Sequence, residues 1–318
     1  MTEIFDIALL ASTVRLFTPL LLAALGGMFT TRAGIFNVAL EGMMLVGSFF
    51  GVAGVFWTGN ATIGLALAVL SATLLALLFG FFVIEVKGDA VIIGLAINIL
   101  ALGLTTYAMR LTFGVTGGYY DPGLEGLPNL TLPIISDLPL LGTVLSGHSI
   151  IVYAAWVIVG LAYVFLFRHP VGLHLRAVGE NPEAAGSMGI HVKRMQYLSV
   201  ILCGALCGLA GAQLSISLVT QFVEGMTAGR GFIALVAIMF GGAHPIKILG
   251  ATLLFGLAYA ASLRLQGIGI PTQFVAMLPY VATIVVLIGT RIRSKPGQPT
   301  PAETLVGETV SSGIEING

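Results

Sequence analysis

The sequence predicts an all-α polytopic membrane protein with about eight to ten transmembrane helices, each crossing needing about 20 mainly apolar residues. Three observations carry that expectation. Hydrophobic residues fill 57% of the 318 positions and charged residues only 9%, whereas soluble domains carry about 25% charge. Mean hydropathy is +1.02. The apolar residues are gathered into long runs separated by short polar stretches.

In chain order, runs of spanning character fall at 7–29, 34–57, 62–84, 90–111, 148–167 and 196–219, and the last third adds 229–242, 246–263 and 271–290. The run at 229–242 is short and bounded by glycines. It reads as a tilted span or as a re-entrant half-helix, which a bilayer tolerates only where protein or a water-filled cavity covers it. Ahead of the first run, Glu3 and Asp6 stand without a basic residue. That start lacks the cationic region of a signal peptide, so the first run is expected to remain as a span.

Orientation follows from Lys and Arg. The loop 168–194 holds Arg168, Arg176, Lys193 and Arg194, and Arg291, Arg293 and Lys295 open the tail; both regions are expected in the cytoplasm by the positive-inside rule. The loop 112–147 carries Asp121, Glu125 and Asp137 and no Lys or Arg, and reads as external. Alternation then places Arg32 and Lys87 inside and the amino terminus outside. Arg264 at an outer end is the exception, and it and Arg15 are expected to snorkel toward the headgroups. Residues 1–293 read as one membrane domain. Residues 294–318, rich in Pro, Gly, Ser and Thr, read as a disordered cytoplasmic tail.

Charge balances at 14 basic and 14 acidic residues, leaving no global field that would favour a nucleic-acid partner. Cys203 and Cys207, one turn apart in an apolar run, read as packing residues. Gly47 and Gly51, and Gly204, Gly208 and Gly211, have the small-xxx-small spacing of close helix contacts.

An ionisable side chain near the bilayer centre costs about 2.5–3.5 kcal/mol on insertion scales, so polar residues inside spans are informative. Asn37 and Glu41 lie one turn apart on one face, and Asn98 sits mid-span. They are candidates for the lining of a translocation path. Asn37 and Glu41 could equally line a helix junction, or, close behind Arg32, satisfy backbone groups or form ion pairs near the inner mouth. Gln213 and Gln221 fall toward the outer end of the sixth run. The five histidines lie in loops or at span ends, with no metal-ligand spacing of the His-Glu-x-x-His kind. Neither catalytic residues nor a metal site are expected.

The polar stretch 176–190 stands apart from its apolar flanks. Asn181 suits an N-cap, Pro182 the first helical position and Glu183 the positive helix end, with Gly186 or Gly189 to stop the helix. So short a helix is marginal alone, and a membrane protein that builds one has something to dock there. Glu180, Asn181, Pro182, Glu183, Ala184, Ala185 and Gly189 are the candidate docking residues.

Four ordered blocks carry a family resemblance. Residues 31–43, with Gly34, Asn37 and Glu41, resemble the early signature of permease subunits of bacterial ATP-binding-cassette importers, in the branched-chain amino acid, ribose and nucleoside permease family. Residues 176–190 resemble that family's cytoplasmic coupling segment, 202–213 its following glycine-rich helix, and 229–245 its Gly-Phe-Ile-Ala and Gly-Gly-x-x-Pro block. Residues 88–105 and 114–122 look most like nucleoside or simple-sugar members.

The resemblance implies a permease of the bacterial inner membrane that moves a neutral polar solute, a nucleoside or alternatively a simple sugar. It implies ATP and magnesium on a separate ATPase subunit, a second permease subunit, identical or homologous, and an extracytoplasmic solute-binding protein. A Gly-x-x-x-x-Gly-Lys-Ser/Thr loop is missing from the sequence, as expected if the nucleotide is held elsewhere. The rival reading is an ion-coupled secondary transporter, which would show intramembrane charges and broken helices in matching halves. Glu41 has no evident charged counterpart in the second half.

Overall fold

The computed structural model describes residues 7–130 and 146–265. The expected run 271–290, the basic residues after it, Asp137 and the tail lie outside the described residues.

The helices are α1 (Ile7–Arg32), α2 (Leu40–Thr58), α3 (Ala61–Gly80), α4 (Ala90–Phe113), α5 (Ile150–Arg168), α6 (Pro170–Glu180), α7 (Pro182–Ser187), α8 (Val192–Ala212), α9 (Arg230–Gly241) and α10 (Pro245–Leu265). Helices α3 and α8 continue through π-helical turns at Phe81–Glu85 and Gln213–Leu218. Seven of these helices are long and apolar enough to cross a bilayer, and the protein is a multi-pass membrane protein. Their ends follow local chemistry. Asn60 Oδ1 accepts the Thr62 N–H, and Asp89 Oδ1 accepts those of Val91 and Ile92, so each caps a helix start.

Helices α1, α2 and α8 form the buried centre, while α3, α4, α5 and α10 lie around them and expose residues such as Leu74, Ile99, Leu111 and Val157. In a bilayer such faces meet lipid. Small residues set the central contacts, since lipid offers no hydrophobic drive between helices and close backbone approach takes its place. A Cβ at Gly47 would lie 2.9 Å from the Gly208 Cα, and one at Gly211 would lie 2.3 Å from the Met44 carbonyl oxygen. Gly47 and Gly211 therefore lie at an α2–α8 seam, whereas Gly204 and Gly208 bring α8 against α3, where an added Cβ would lie 2.6 Å from the Thr73 Cα and 2.6 Å from the Ala68 carbonyl oxygen respectively. Cys203 and Cys207 are buried free thiols in the same region.

Four short strands, which the hydropathy pattern does not reveal, cover one end of the bundle. β1 (Gly118–Tyr120) pairs antiparallel with β4 (Gln221–Val223), and β2 (Asn129–Leu130) with β3 (His148–Ser149). An aromatic group fastens the β1–β4 pair: Tyr119 stacks on Phe113 at 4.0 Å between centroids, and Phe222 meets Phe49 edge-on at 5.3 Å. Asp121, Glu125 and Glu224 belong to this hairpin end. Arg32, Lys87, Arg168, Arg176, Lys193, Arg194 and Lys247 fall at the opposite, basic end, where Lys193 Nζ donates to Glu85 Oε2 at 2.6 Å.

Two crossings are broken. After α1 ends, residues 33–39 turn back into the bundle without forming a helix, and Ala33, Ile35, Asn37, Val38 and Ala39 are all buried. Helix α2 starts only then. The second break follows β4: the chain leaves the hairpin end in turns and becomes helical at Arg230. With 12 residues, α9 is about 18 Å long, roughly half a bilayer core. The segment expected to be short or re-entrant is thus a 12-residue half-helix preceded by turns rather than by more helix.

Candidate translocation and coupling site

The three candidate path residues converge on the first break. Asn37, 1% exposed, accepts the Ala39 N–H on Oδ1 at 2.9 Å and donates from Nδ2 to the Cys203 Sγ at 3.3 Å. Asn98 reaches across from α4, donating from Nδ2 to the Val38 carbonyl at 3.0 Å and accepting the Gly42 N–H on Oδ1 at 2.8 Å. Glu41 points the other way. Its Oε1 accepts the Gly229 N–H at 2.8 Å and its Oε2 the Gly231 N–H at 2.6 Å. A bilayer supplies no water to such a break, so side chains must close its backbone groups.

Glu41 thereby binds the second break to the first. The α9 N-terminus presents unpaired amides and positive dipole charge, and a carboxylate answers both. Ala228 at φ +46° and Gly229 at φ +79° turn the chain into the helix in left-handed conformations. A Cβ at Gly231 would sit 2.4 Å from the Glu41 nitrogen, so no larger residue allows this approach. The counterpart to Glu41 that the sequence did not reveal is a helix end rather than a charge.

The other end of α9 is held with the opposite sign. Arg32 donates from Nε to the Ala243 carbonyl at 2.8 Å and from Nη2 to the Gly242 carbonyl at 3.0 Å, where the helix dipole is negative. Half-helix α9 is therefore clamped by a carboxylate at its start and a guanidinium at its finish.

Arg32 also meets the docking segment. The expected short helix capped at Asn181 is α7, and a second helix, α6, not anticipated from the sequence, leads into it. His169 Nδ1 accepts the Val171 N–H at 3.3 Å ahead of Pro170, and α6 buries Gly172, Leu175 and Val178. That apolar spacing after a His-Pro start was the available signal for α6. At Gly179 a Cβ would lie 2.2 Å from the Arg32 carbonyl oxygen, so α6 packs backbone to backbone on the end of α1. Asn181 then ends α6 and caps α7, its Oδ1 accepting the Ala184 N–H at 2.9 Å.

Asn181, Pro182, Glu183 and Ala184 are exposed on α7, and Ala185 is buried as its anchor. Gly189 turns the chain away at φ +81°. Glu180 is exposed beside Arg176, 4.0 Å away. Met188, not singled out from sequence, is 83% exposed at the tip. Nearby, His244 is flanked by the Tyr163 and Phe167 rings. Burial, then the charges of Lys247 and Arg32, lower its pKa. Among the described residues no cluster of His, Cys, Asp or Glu is arranged to hold a metal ion.

The sequence that builds this broken-helix bundle matches a known family. Residues 9–287 match the family described as branched-chain amino acid transport system / permease component. The chain belongs to this permease family. Among its relatives, the guanosine ABC transporter permease protein NupQ of Bacillus subtilis is 36% identical over 286 residues, covering 85% of this chain and 88% of the relative. The nucleoside ABC transporter permease protein NupC of Lactococcus lactis is 33% identical over 285 residues, with the same coverage. TsgC13 of Haloferax volcanii, which carries a provisional glucose ABC transporter permease name, is 35% identical over 315 residues, covering 92% of this chain and 94% of the relative. No solved structure matched the chain.

Proposed function

We propose that this permease subunit forms half of the pore of an ATP-driven nucleoside importer, with its basic end in the cytoplasm and its hairpin end outside. In that assembly a second permease completes the pore, separate ATPase subunits dock on α7, and an external binding protein delivers solute to the hairpin end. ATP and magnesium belong to the ATPase.

The continuous contact path from α7 to both ends of α9 carries this reading. A push on Pro182, Glu183 and Ala184 moves α6, α6 bears on Arg32 through Gly179, and Arg32 holds the α9 carbonyl end. The far end of α9 is tied through Glu41 to the α2 break, so α9 is an element that two arrangements of the bundle can share differently. Coupling of this kind needs a two-state element that both sites bias. Asn37, Glu41 and Asn98 serve here as the joint of the path, keeping its broken backbone closed to lipid while it moves.

Nucleoside cargo is supported by the NupQ and NupC relatives and by the scarcity of charge inside the spans, which suits a neutral solute. A simple sugar is the second reading, favoured by TsgC13. Uptake of radiolabelled guanosine and glucose by cells expressing the complete transporter tests the choice. Guanosine accumulation that stops when the ATPase subunit is deleted supports nucleoside import; ATP-dependent glucose accumulation without guanosine uptake overturns it in favour of sugar.

A further inference from the structure

Where α9 begins, the described residues line a partly open pocket of about 380 Å³. Its apolar wall comes from Leu16 of α1, Leu214 and Leu218 of the π-helical turn, and Leu263 of α10; its polar end is formed by Gln221, Arg230 and Tyr259. The volume falls within the range of small-molecule sites, about 300–1,000 Å³, which are mostly apolar with a few orienting polar groups.

The polar end has unused capacity. A guanidinium has five N–H donors. Arg230 donates from Nη1 to the Met226 and Thr227 carbonyls and from Nη2 to the Tyr259 hydroxyl, and its plane lies over the Tyr259 ring at 4.7 Å from the centroid. That leaves the Nε–H and one Nη2–H without a partner among the described residues. The side-chain amide of Gln221 has none there either, and Arg230 makes no ion pair with a described residue. Glu41, the nearby carboxylate, is occupied by the Gly229 and Gly231 amides. Among the described residues the pocket therefore offers two free guanidinium donors and an amide, and no free anion.

We propose that this pocket is a solute subsite and that it recognises the base of a 6-oxopurine nucleoside. The O6 and N7 acceptors of such a base are spaced for two parallel N–H donors of one arginine. Adenine presents N7 beside an amino donor, which would oppose an Arg230 N–H and leave it unpaired. The Gln221 amide oxygen accepts the N1–H that a 6-oxopurine carries and adenine lacks, and the leucine wall covers the base face. The site lies at the helix end tied by Glu41, so movement of α9 opens or collapses the place where the base rests.

This inference rests on the nucleoside reading above, and the test separates the two. The whole transporter, in nanodiscs without its binding protein, is photolabelled with 8-azidoguanosine while guanosine, inosine, adenosine or glucose competes, and the labelled peptides are mapped. Labelling within residues 214–230, with guanosine and inosine protecting about tenfold better than adenosine, is expected from one bidentate contact. Arg230→Lys and Gln221→Leu should each narrow that ratio several-fold. Gln221→Leu leaves the Arg230 bonds to the turn intact and so controls for misfolding. Labelling elsewhere, equal protection by adenosine, or a ratio that neither variant changes overturns the site while leaving nucleoside transport standing. Protection by glucose alone overturns both.

Discussion

The carboxylate of Glu41, in the first turn of α2, accepts the backbone N–H of Gly231, in the first turn of α9, at 2.6 Å. Two helices that each start inside the bundle are thus joined start to start by one side chain.

Removing that joint leaves the Gly229 and Gly231 amides without their acceptor in a part-buried setting. Glu41→Ala is expected to destabilise the permease by about 1–3 kcal/mol, the cost of stranding buried donors. Glu41→Gln retains one acceptor oxygen and should fall between. Thermal unfolding of the purified complex in detergent measures both, and a wild-type midpoint for Glu41→Ala would remove the joint from the explanation.

The α2–α8 seam tolerates no added bulk. Gly211→Val places its Cβ at the Met44 carbonyl, 2.3 Å away before relaxation, and should cost about 1–3 kcal/mol or more through overpacking. Gly250→Ala is the matched control, because a Cβ there meets nothing within 4 Å. It should leave expression and melting unchanged or slightly raised, and equal loss in both variants would argue against specific close packing.

Charge reversal on the lever separates docking from folding. Glu183 is exposed and its side chain makes no ion pair among the described residues, so Glu183→Lys should leave insertion intact. We expect solute-stimulated ATP hydrolysis to fall or to continue without uptake. Simultaneous ATPase and uptake assays decide, and normal values for both would place the ATPase contact elsewhere.

His244 gives the basic end a pH dependence of known sign. Its folded pKa lies below the ordinary value near 6.5, so the folded state holds the neutral ring and the unfolded state binds more protons. The stability from this group is fully present above about pH 6.5 and declines as pH falls through the depressed value. His244→Phe should flatten that part of a melting-temperature profile measured between about pH 7.5 and 5.5. A profile identical to wild type would mean the ring is not the titrating group.

The long helices were legible because a bilayer demands about 20 apolar residues per crossing and the sequence supplies them in plain runs. The α7 caps were equally legible, since Asn181 and Pro182 act locally. The same locality gave Gly47 and Gly208 away as packing glycines. What stayed hidden was pairing over distance. Glu41 was visible as a costly residue, but its partners, backbone amides 188 and 190 positions along the chain, carry no side-chain signature. Arg230 escaped notice at the edge of an apolar run, and Tyr259, which completes its contacts, sits within another. The strands β1 and β4 are three residues each, too short for an alternating pattern, and they are held by aromatic contacts from remote helices.

Broken helices meeting inside the bundle are also a device of ion-driven carriers, so the energy source is the point on which everything above turns. The direct measurement is nucleoside accumulation in proteoliposomes holding this permease and its partner permease, with and without the ATPase subunits, ATP and the binding protein. Uphill accumulation should occur only with all components present and ATP on the ATPase side. Accumulation by the permeases alone under a sodium or proton gradient would contradict the lever, the clamp on α9 and the role given to α7.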